Sequence, residues 1–244
     1  MCTLGCLGGR FLFKNRDMDA DVCLDEDVFR GEGLHAYVGV RGHVTPRERG
    51  LNSGINDAGV AAAITYVGDV PLAVALGRAC PRGVLVEEVL RTAGSLREAE
   101  LVANYLLLAN EFVGGTITVA SPEGSFVVEE AEGRFSINRV GLSDVVRTNH
   151  FRDLAWRGGT LSGLANSRVR CARMEGLVAG IEREGASVDA IERALADHEN
   201  GADAICRHGG AMVTVSSAVY DLRAHELWYR RGNPCEGNFE KHAA

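Results

Sequence analysis

The amino-acid sequence predicts an α+β fold in which two β-sheets pack together and helices cover their outer sides. Strands, a helix pair, more strands, a second helix pair and final strands follow one another along 244 residues. Such segregated blocks are typical of α+β rather than βαβ architecture. Hydrophobic residues make up 46% and charged residues 24% of the chain, which is ordinary for a globular domain. No low-complexity linker or internal repeat interrupts the chain, so we expect one domain over residues 1–244.

The first part of the chain is predicted to be sheet. Cys2–Leu7 and residues 10–14 flank Gly8 and Gly9, which make a good hairpin turn. Residues 36–41 are a further strand candidate. Residues 60–66, with the sequence VAAAITY, are expected to form a buried strand entered through a turn at residues 56–59.

Two helices are expected next. The first covers residues 85–91 and ends before Gly94. Ser95, with Glu98 three residues later, forms a capping box that opens a helix over residues 96–110. The apolar residues of this second helix recur at helical spacing, so one wide face should be buried.

The rest of the chain repeats this scheme. Strands separated by turn residues are expected at residues 116–120, 125–130, 134–138 and 145–149. A second helical block is expected at residues 167–184 and 187–197, with Ser187 as the cap of its second helix. The strands Met212–Asp221 and Glu226–Arg231 close the chain.

Charge and hydropathy exclude several classes of function. The formal net charge of −7 argues against a nucleic-acid partner, since phosphate contacts need a basic surface. No apolar run approaches the roughly 20 residues that span a bilayer. The N-terminus shows no secretory signal pattern. We therefore expect a cytoplasmic protein without a membrane partner.

The cysteines give little support to a metal site. Their number, seven, is odd and no CxxC pair occurs, so reduced thiols are expected. His198, Cys206 and His208 form the one compact group of histidines and cysteines. Their spacing favours ordinary hydrogen-bonded side chains over metal ligands. The sequence thus leads us to expect neither a metal nor another cofactor.

Cys2 is a candidate nucleophile, because removal of Met1 would make it the N-terminal residue. A thiol must lose its proton to attack a carbonyl, and it needs a base nearby. The free α-amino group, with an ordinary pKa of about 7.7–8.0, is such a base. Cys2 can equally be a small residue that starts a strand, so other residues must support the assignment.

A dense group of charged residues follows the second predicted strand, at Lys14, Arg16, Asp17 and Asp19. A solvated turn is the usual role of such a run. A strand that ends here would instead direct these side chains toward the start of the neighbouring strand, where Cys2 lies.

These residues carry a family resemblance. Cys2-Thr3, followed by Leu12-Phe13-Lys14-Asn15-Arg16-Asp17, resembles the opening of N-terminal-nucleophile (Ntn) cysteine hydrolases. The most similar groups are the acyl-CoA:isopenicillin N acyltransferase, penicillin V acylase and choloylglycine hydrolase families. Further similar segments occur at residues 54–60, 147–151, 167–168 and 204–208 and in the C-terminal strands, so the resemblance spans nearly the whole chain.

The resemblance implies a four-layered αββα sandwich, the Ntn-hydrolase fold, and a set of catalytic roles. Cys2 would be the nucleophile, with its own amine as the base. Asp17 would hydrogen-bond this amine, and Asn149 would donate its side-chain amide to the oxyanion. Arg168 would balance the charge of Asp17. Apart from the resemblance, we expect His150 to be a positioning or substrate-lining residue, since the amine makes a histidine base unnecessary.

Two points stay open within the resemblance. The family's Arg-x-x-Asp pattern fits in two registers, Lys14 with Asp17 or Arg16 with Asp19. We favour Asp17, because Asn15 then takes the family's asparagine position, but Arg16 and Asp19 remain candidates. A second oxyanion donor is expected near Thr65 or Tyr66.

The implied activity is hydrolysis or transfer of an acyl group from a linear amide, non-peptide or peptide-like, through a thioester on Cys2. Expected partners are a small-molecule amide or an acyl-thioester substrate. An acyl-carrier protein and a homo-oligomer stay open. Two alternatives remain: a glutaminase similar to class-II glutamine amidotransferases, and an inactive binding module of the same fold. The amidotransferases have glycine after their N-terminal cysteine, where this chain has Thr3.

Overall fold

Two antiparallel sheets pack face to face, and helices cover the outer face of each. The computed structural model describes residues 1–21, 26–42, 49–67, 82–112, 114–154 and 164–244. The layers run helices, sheet, sheet, helices. The predicted four-layered αββα sandwich is therefore confirmed.

The first sheet contains the N-terminal hairpin. Its six strands are β1 (Cys2–Leu7), β2 (Phe11–Asp19), β10 (Val145–Arg147), β11 (Met212–Asp221), β12 (Glu226–Arg231) and β13 (Glu240–Ala243). Their order across the sheet is β10-β1-β2-β11-β12-β13. Gly9 has φ +66 in the turn between β1 and β2, a conformation that glycine adopts without strain. This hairpin sets Cys2 opposite Arg16 and Leu4 opposite Lys14.

The second sheet is a meander whose strands neighbour one another in chain order. Its seven strands are β3 (Glu26–Gly31), β4 (Tyr37–Gly42), β5 (Ser53–Asn56), β6 (Ala61–Thr65), β7 (Gly115–Ser121), β8 (Gly124–Ala131) and β9 (Arg134–Gly141). The alanine run of β6 is wholly buried, because this central strand is covered by the other sheet on one side and by helices on the other.

Two helix pairs form the outer layers. They are α1 (Arg82–Thr92) with α2 (Leu96–Ala109), and α3 (Leu164–Glu184) with α4 (Val188–Leu195). The first pair packs on the second sheet and the second pair on the first sheet. The caps form as predicted: the side chain of Ser95 accepts from Glu98 N at 3.2 Å, and that of Ser187 from Ala190 N at 3.2 Å.

The space between the sheets is filled mainly by aliphatic side chains. The first sheet contributes Leu4, Leu12, Ala218 and Leu227, and the second contributes Val38, Ile55, Ala63 and Val127. Because side chains alternate along a strand, these residues show which face of each strand looks into this layer.

The charged run after residue 13 differs from the solvated turn that its composition favours. β2 continues to Asp19, and β11 pairs with it along this length, with Met212 opposite Asp19. Lys14, Arg16 and Asp17 are buried, because sheet strands flank β2 on both sides.

Three further strands, β3, β5 and β13, were absent from the sequence-based prediction. Their sequences EDVFRG, SGIN and EKHA are short and polar, and sheet pairing rather than local pattern makes them strands. Among the helices of the described residues, none combines the length and apolar character needed to cross a membrane.

Candidate active site

The hairpin directs Cys2 into the layer between the sheets. Leu4 and Cys6 belong to the inter-sheet core, and Cys2 shares their face of β1 because it lies two and four residues before them. Only 6% of Cys2 is exposed. Directly paired residues of antiparallel strands share a face, so Arg16 and Lys14 also lie on this side.

Neighbouring cations lower the pKa of the Cys2 thiol. Burial alone would raise this pKa, but Lys14, the N-terminal ammonium group and Arg16 lower it and outweigh burial and the opposing effect of Asp17. The thiol of Cys6, on the same face of the same strand, gives a comparison for that of Cys2. Burial raises the pKa of Cys6 to about 12. The charges around Cys2, and not its strand, therefore favour a reactive thiolate.

Lys14 and Arg16 differ in how they are held. Lys14 Nζ donates to Asn52 Oδ1 at 2.5 Å and to the carbonyl of Ile64, and burial lowers its pKa to about 8. Arg16 forms an ion pair with Glu26 at 2.5 Å, with both side chains buried. The carboxylate of Glu26 offsets the charge of Arg16, whereas these two acceptors of Lys14 are neutral.

Hydrogen bonds hold the start of the chain, in which Met1 precedes Cys2. The Met1 amine donates to the carbonyl of Asp17, and Asp17 N donates to Met1 O at 2.7 Å. Cys2 N donates to Asn149 Oδ1 at 3.1 Å. Burial is the main cause that lowers the pKa of the terminal amine. Removal of Met1 would leave the amine of Cys2 in this enclosed position.

Of the two candidate aspartates, only Asp17 is buried; Asp19 is exposed at the end of β2. Asp17 Oδ1 accepts from Thr214 Oγ1 at 2.9 Å. Asp17 Oδ2 lies 4.0 Å from an Nη1 atom of both Arg170 and Arg207, and it has no hydrogen-bond partner within the described parts of the chain. The structure thus favours the register that assigns Asp17.

The expectation that Arg168 balances Asp17 is corrected. Arg168 is exposed on α3, whereas Arg170 is fully buried and approaches Asp17. The reason is helical periodicity, since successive residues of a helix are rotated by about 100°. An apolar stripe of Cys171, Met174 and Val178 marks the inward face, and this stripe was the sequence signal that selects Arg170.

Arg170 ties the two chain segments of the site together. Its Nη1 donates to the carbonyl of Cys2 and to Thr3 Oγ1, each at 2.8 Å. Its Nη2 donates to Asn149 Oδ1 at 2.7 Å. One guanidinium thus fixes the nucleophile strand and the segment after β10 relative to each other.

The amide of Asn149 is oriented by its neighbours. Its oxygen accepts from both Cys2 N and Arg170, and its Nδ2 donates to the carbonyl of Tyr66 at 2.6 Å. An amide nitrogen carries two hydrogens, and among the described residues only the Tyr66 carbonyl accepts one of them, so the other is available to a ligand. The backbone of Asn149 is held as well, since its N–H donates to Ser167 Oγ at 2.7 Å.

The segment expected to supply a second oxyanion donor lies beside Asn149, through the Tyr66 contact. Thr65 lies on the face of β6 that carries Ala61 and Ala63 into the inter-sheet layer. Its hydroxyl is buried without a hydrogen-bond partner among the residues that the structure describes. The hydroxyl of Thr65 is therefore able to donate to a ligand.

His150 contacts the support of Asn149 rather than the thiol. Its Nδ1 lies 2.8 Å from Ser167 Oγ and 3.2 Å from Thr148 Oγ1. Burial, followed by the charges of nearby arginines, lowers its pKa. A positioning role for His150 stays a prediction.

Comparison with known proteins gives a family. A family model described as acyl-coenzyme A:6-aminopenicillanic acid acyl-transferase matches residues 6–236. A search of curated proteins finds no match.

Three solved structures share the fold over most of the chain. The C2A mutant of the conjugated bile acid hydrolase from Clostridium perfringens has a TM-score of 0.64 at 13% identity, covering 100% of this chain and 97% of that chain. Penicillin V acylase from Agrobacterium tumefaciens has a TM-score of 0.59 at 16% identity, covering 95% of this chain and 83% of that chain. The Caenorhabditis elegans ortholog of N-acylethanolamine-hydrolyzing acid amidase has a TM-score of 0.62 at 12% identity, covering 91% of this chain and 93% of that chain.

Proposed function

Since the chain belongs to the acyl-coenzyme A:6-aminopenicillanic acid acyl-transferase family, we propose that Cys2 is the nucleophile of an N-terminal cysteine amidohydrolase or acyltransferase. The family relationship predicted from the sequence is confirmed by this match. Family and fold together indicate an Ntn-type enzyme. The identity of the nucleophile and the reaction path rest on the geometry around Cys2.

The nitrogen of Cys2 carries the proposal. It lies 3.1 Å from Asn149 Oδ1, next to a buried thiol whose pKa is lowered by Lys14 and other charges against the effect of burial. Once the Met1–Cys2 peptide bond is hydrolysed, this nitrogen becomes a primary amine on the same residue as the thiol. A base and its nucleophile are then placed together without a histidine.

The reaction follows from these positions. The amine of Cys2 takes the thiol proton, and the sulfur attacks the carbonyl carbon of the amide to form a tetrahedral oxyanion. The C–N bond breaks as the leaving nitrogen receives that proton, which leaves a thioester on Cys2. Water then releases the free acid, or an acceptor amine takes the acyl group, and the thiol is restored.

Asn149 is the proposed first donor to the oxyanion. Because its oxygen is occupied by Cys2 N and Arg170, its nitrogen must face the substrate side, where one hydrogen is uncommitted beyond Tyr66. The hydroxyl of Thr65 or a backbone group near Tyr66 would be the second donor. A preorganised donor of this kind accelerates acyl transfer by about 10²–10³.

Asp17 is proposed to hold the Cys2 amine. Its Oδ2 has a free hydrogen-bonding position among the described residues, and it lies 4.0 Å from Arg170, which itself binds the Cys2 carbonyl. Arg170 takes the charge-balancing role that the resemblance implies. Arg16 is proposed to act on the thiol through its charge, while Glu26 holds its guanidinium.

Candidate acyl donors follow from the family and from the proteins that share the fold. They are acyl-coenzyme A thioesters, penicillin V, conjugated bile acids and N-acylethanolamines. An acylated carrier protein, which the sequence leaves open, is a further candidate. We propose a linear amide or acyl thioester as the substrate class.

The test is the intact mass of the protein after incubation with each donor. Protein lacking Met1 should gain the mass of the acyl group, and peptide mapping should place it on Cys2. Cys2→Ala should show no gain, whereas Cys6→Ala, which removes a thiol from the same strand, should still be acylated. A chain with a residue inserted before Cys2 should also remain unmodified, because its α-amine is displaced.

Three outcomes would contradict the proposal. The first is absence of a Cys2 adduct and of turnover with every donor. The second is acylation of a chain that retains Met1. The third is turnover restricted to glutamine, with release of ammonia, which would support the glutaminase alternative. Among these, biological activity that survives Cys2→Ala without any turnover would support the inactive binding module.

A further inference from the structure

Four side chains able to ligate a metal meet where the chain enters β11 and leaves β12. His198 lies after α4, Cys206 and His208 lie before β11, and Cys235 lies after β12. One ligand atom from each lies within 4.8 Å of the others. We propose that these residues bind one zinc ion in a closed structural site with two cysteine and two histidine ligands.

Four of the six distances between ligand atoms lie near those of a tetrahedral zinc site. The sulfurs of Cys206 and Cys235 are 3.7 Å apart, and the Nε2 atoms of His198 and His208 are 3.1 Å apart. The sulfur–nitrogen separations are 3.4 Å for Cys206 and 3.0 Å for Cys235, both to His208. Zinc bonds are about 2.3 Å to sulfur and 2.0–2.1 Å to nitrogen. In a regular tetrahedron these bond lengths give distances of about 3.8 Å between the two sulfurs, 3.3 Å between the two nitrogens and 3.5 Å between a sulfur and a nitrogen.

Hydrogen bonding does not explain this cluster. His208 Nε2 lies within 3.4 Å of three atoms at once, those of His198, Cys206 and Cys235. A ring nitrogen carries one proton or one lone pair, so it satisfies one partner and not three. A metal ion at the centre accounts for all these contacts, because every ligand then directs its lone pair to one point.

Groups around the ligands also suit a metal. The other ring nitrogen of His208, Nδ1, lies 3.4 Å from Glu236 Oε1, and metal-bound histidines commonly donate their second N–H to a carboxylate. Asn233 Nδ2 lies 3.7 Å from the sulfur of Cys206, as expected of a donor to a thiolate. Four protein ligands leave no open position for a substrate, so the site is structural.

The sequence-based interpretation of His198, Cys206 and His208 as ordinary polar residues lacked the fourth ligand. Cys235 lies 27 positions after His208, outside the spacing of local metal motifs. It reaches the cluster because β11 and β12 form an antiparallel pair that brings both ends of the hairpin together.

The metal would hold a segment that supports Asp17. Arg207 lies between two ligands, and its N–H donates to Thr214 Oγ1 at 2.9 Å. Thr214 in turn donates to Asp17 Oδ1 at 2.9 Å. Zinc at this position therefore fixes the loop behind the candidate active site. The zinc proposal does not depend on Cys2 being the nucleophile.

Metal content of the untagged full chain tests the inference. After expression with added zinc and dialysis, elemental analysis should find one zinc per chain. Cys235→Ser and His208→Ala should lose it, whereas Cys171→Ser, which removes another thiol, should retain it. Cobalt(II) in place of zinc should give the intense visible absorption of a tetrahedral thiolate complex, and this absorption should vanish in Cys235→Ser.

A second variant separates metal binding from misfolding. Glu236→Gln keeps all four ligands, so the fold should persist, while its zinc affinity measured by chelator competition should fall by about 10–100-fold. Wild-type protein that contains no zinc, or a Cys206–Cys235 disulfide in freshly prepared zinc-supplemented protein, would overturn the proposal. Equal zinc content in the wild type and Cys235→Ser would do the same.

Discussion

Replacement of Arg170 by methionine should destabilise the protein and disable Cys2, whereas the same change at Arg168 should do neither. Both arginines lie on α3 and differ by two positions. Arg170 is fully buried, contacts Cys2, Thr3 and Asn149, and lies 4.0 Å from Asp17. Arg168 is exposed. The pair isolates the effect of the buried position from that of helix composition and net charge.

The expected magnitude follows from the charge left behind. Loss of one partner from a buried ion pair costs about 3–5 kcal/mol, because the other charge stays buried without compensation. Arg207 also lies 4.0 Å from Asp17 Oδ2 and retains part of this compensation, so about 3 kcal/mol is expected. In a chain of this size that lowers Tm by roughly 6–12 °C. Arg168→Met should change stability by no more than about 0.5 kcal/mol.

Urea unfolding followed by circular dichroism measures the stability difference, and intact mass after a timed exposure to an acyl donor measures acylation of Cys2. Arg170→Met should lower both the free energy of unfolding and the acylation of Cys2. Arg170→Lys should recover part of the stability but little of the acylation rate, because an ammonium group cannot make the same forked contacts. Equal behaviour of Arg170→Met and Arg168→Met would refute the reasoning.

Three further changes have defined outcomes. Lys14→Met removes a cation that lowers the pKa of the Cys2 thiol against burial, so the midpoint of the pH profile for alkylation of Cys2 should move to higher pH; an unchanged midpoint would count against Lys14. Asn149→Ala should slow acylation of Cys2 by about 10²–10³, and a rate equal to wild type would exclude it as an oxyanion donor. Ser95→Ala removes the cap of α2 and should cost about 1 kcal/mol in urea unfolding with acylation unchanged; a loss of acylation would mean that α2 is coupled to the site.

Local sequence determines most of the secondary structure. The hairpin from Cys2, the capping box at Ser95 and the cap at Ser187 all form where the sequence predicts them. These features depend on residues within a few positions of one another, so their signals are visible along the chain. The strands missed, such as β13 (Glu240–Ala243), carry little apolar pattern of their own and exist through pairing with β12.

The family resemblance added Asp17 and Asn149 to the candidate nucleophile Cys2, and the structure places all three in one buried network. It favoured Asp17 but did not exclude Asp19. That choice required knowing that β2 continues between two neighbouring strands, which buries the first carboxylate and leaves the second exposed.

By itself, the sequence determined the order of most strands and of the helices, the two helix caps and the position of the candidate nucleophile. Only the tertiary structure decided which arginine approaches Asp17 and that Cys235 joins His198, Cys206 and His208. The physical reason is the same in both cases. Helix rotation and strand pairing set the direction and distance of each side chain, and these depend on packing between segments far apart in the chain.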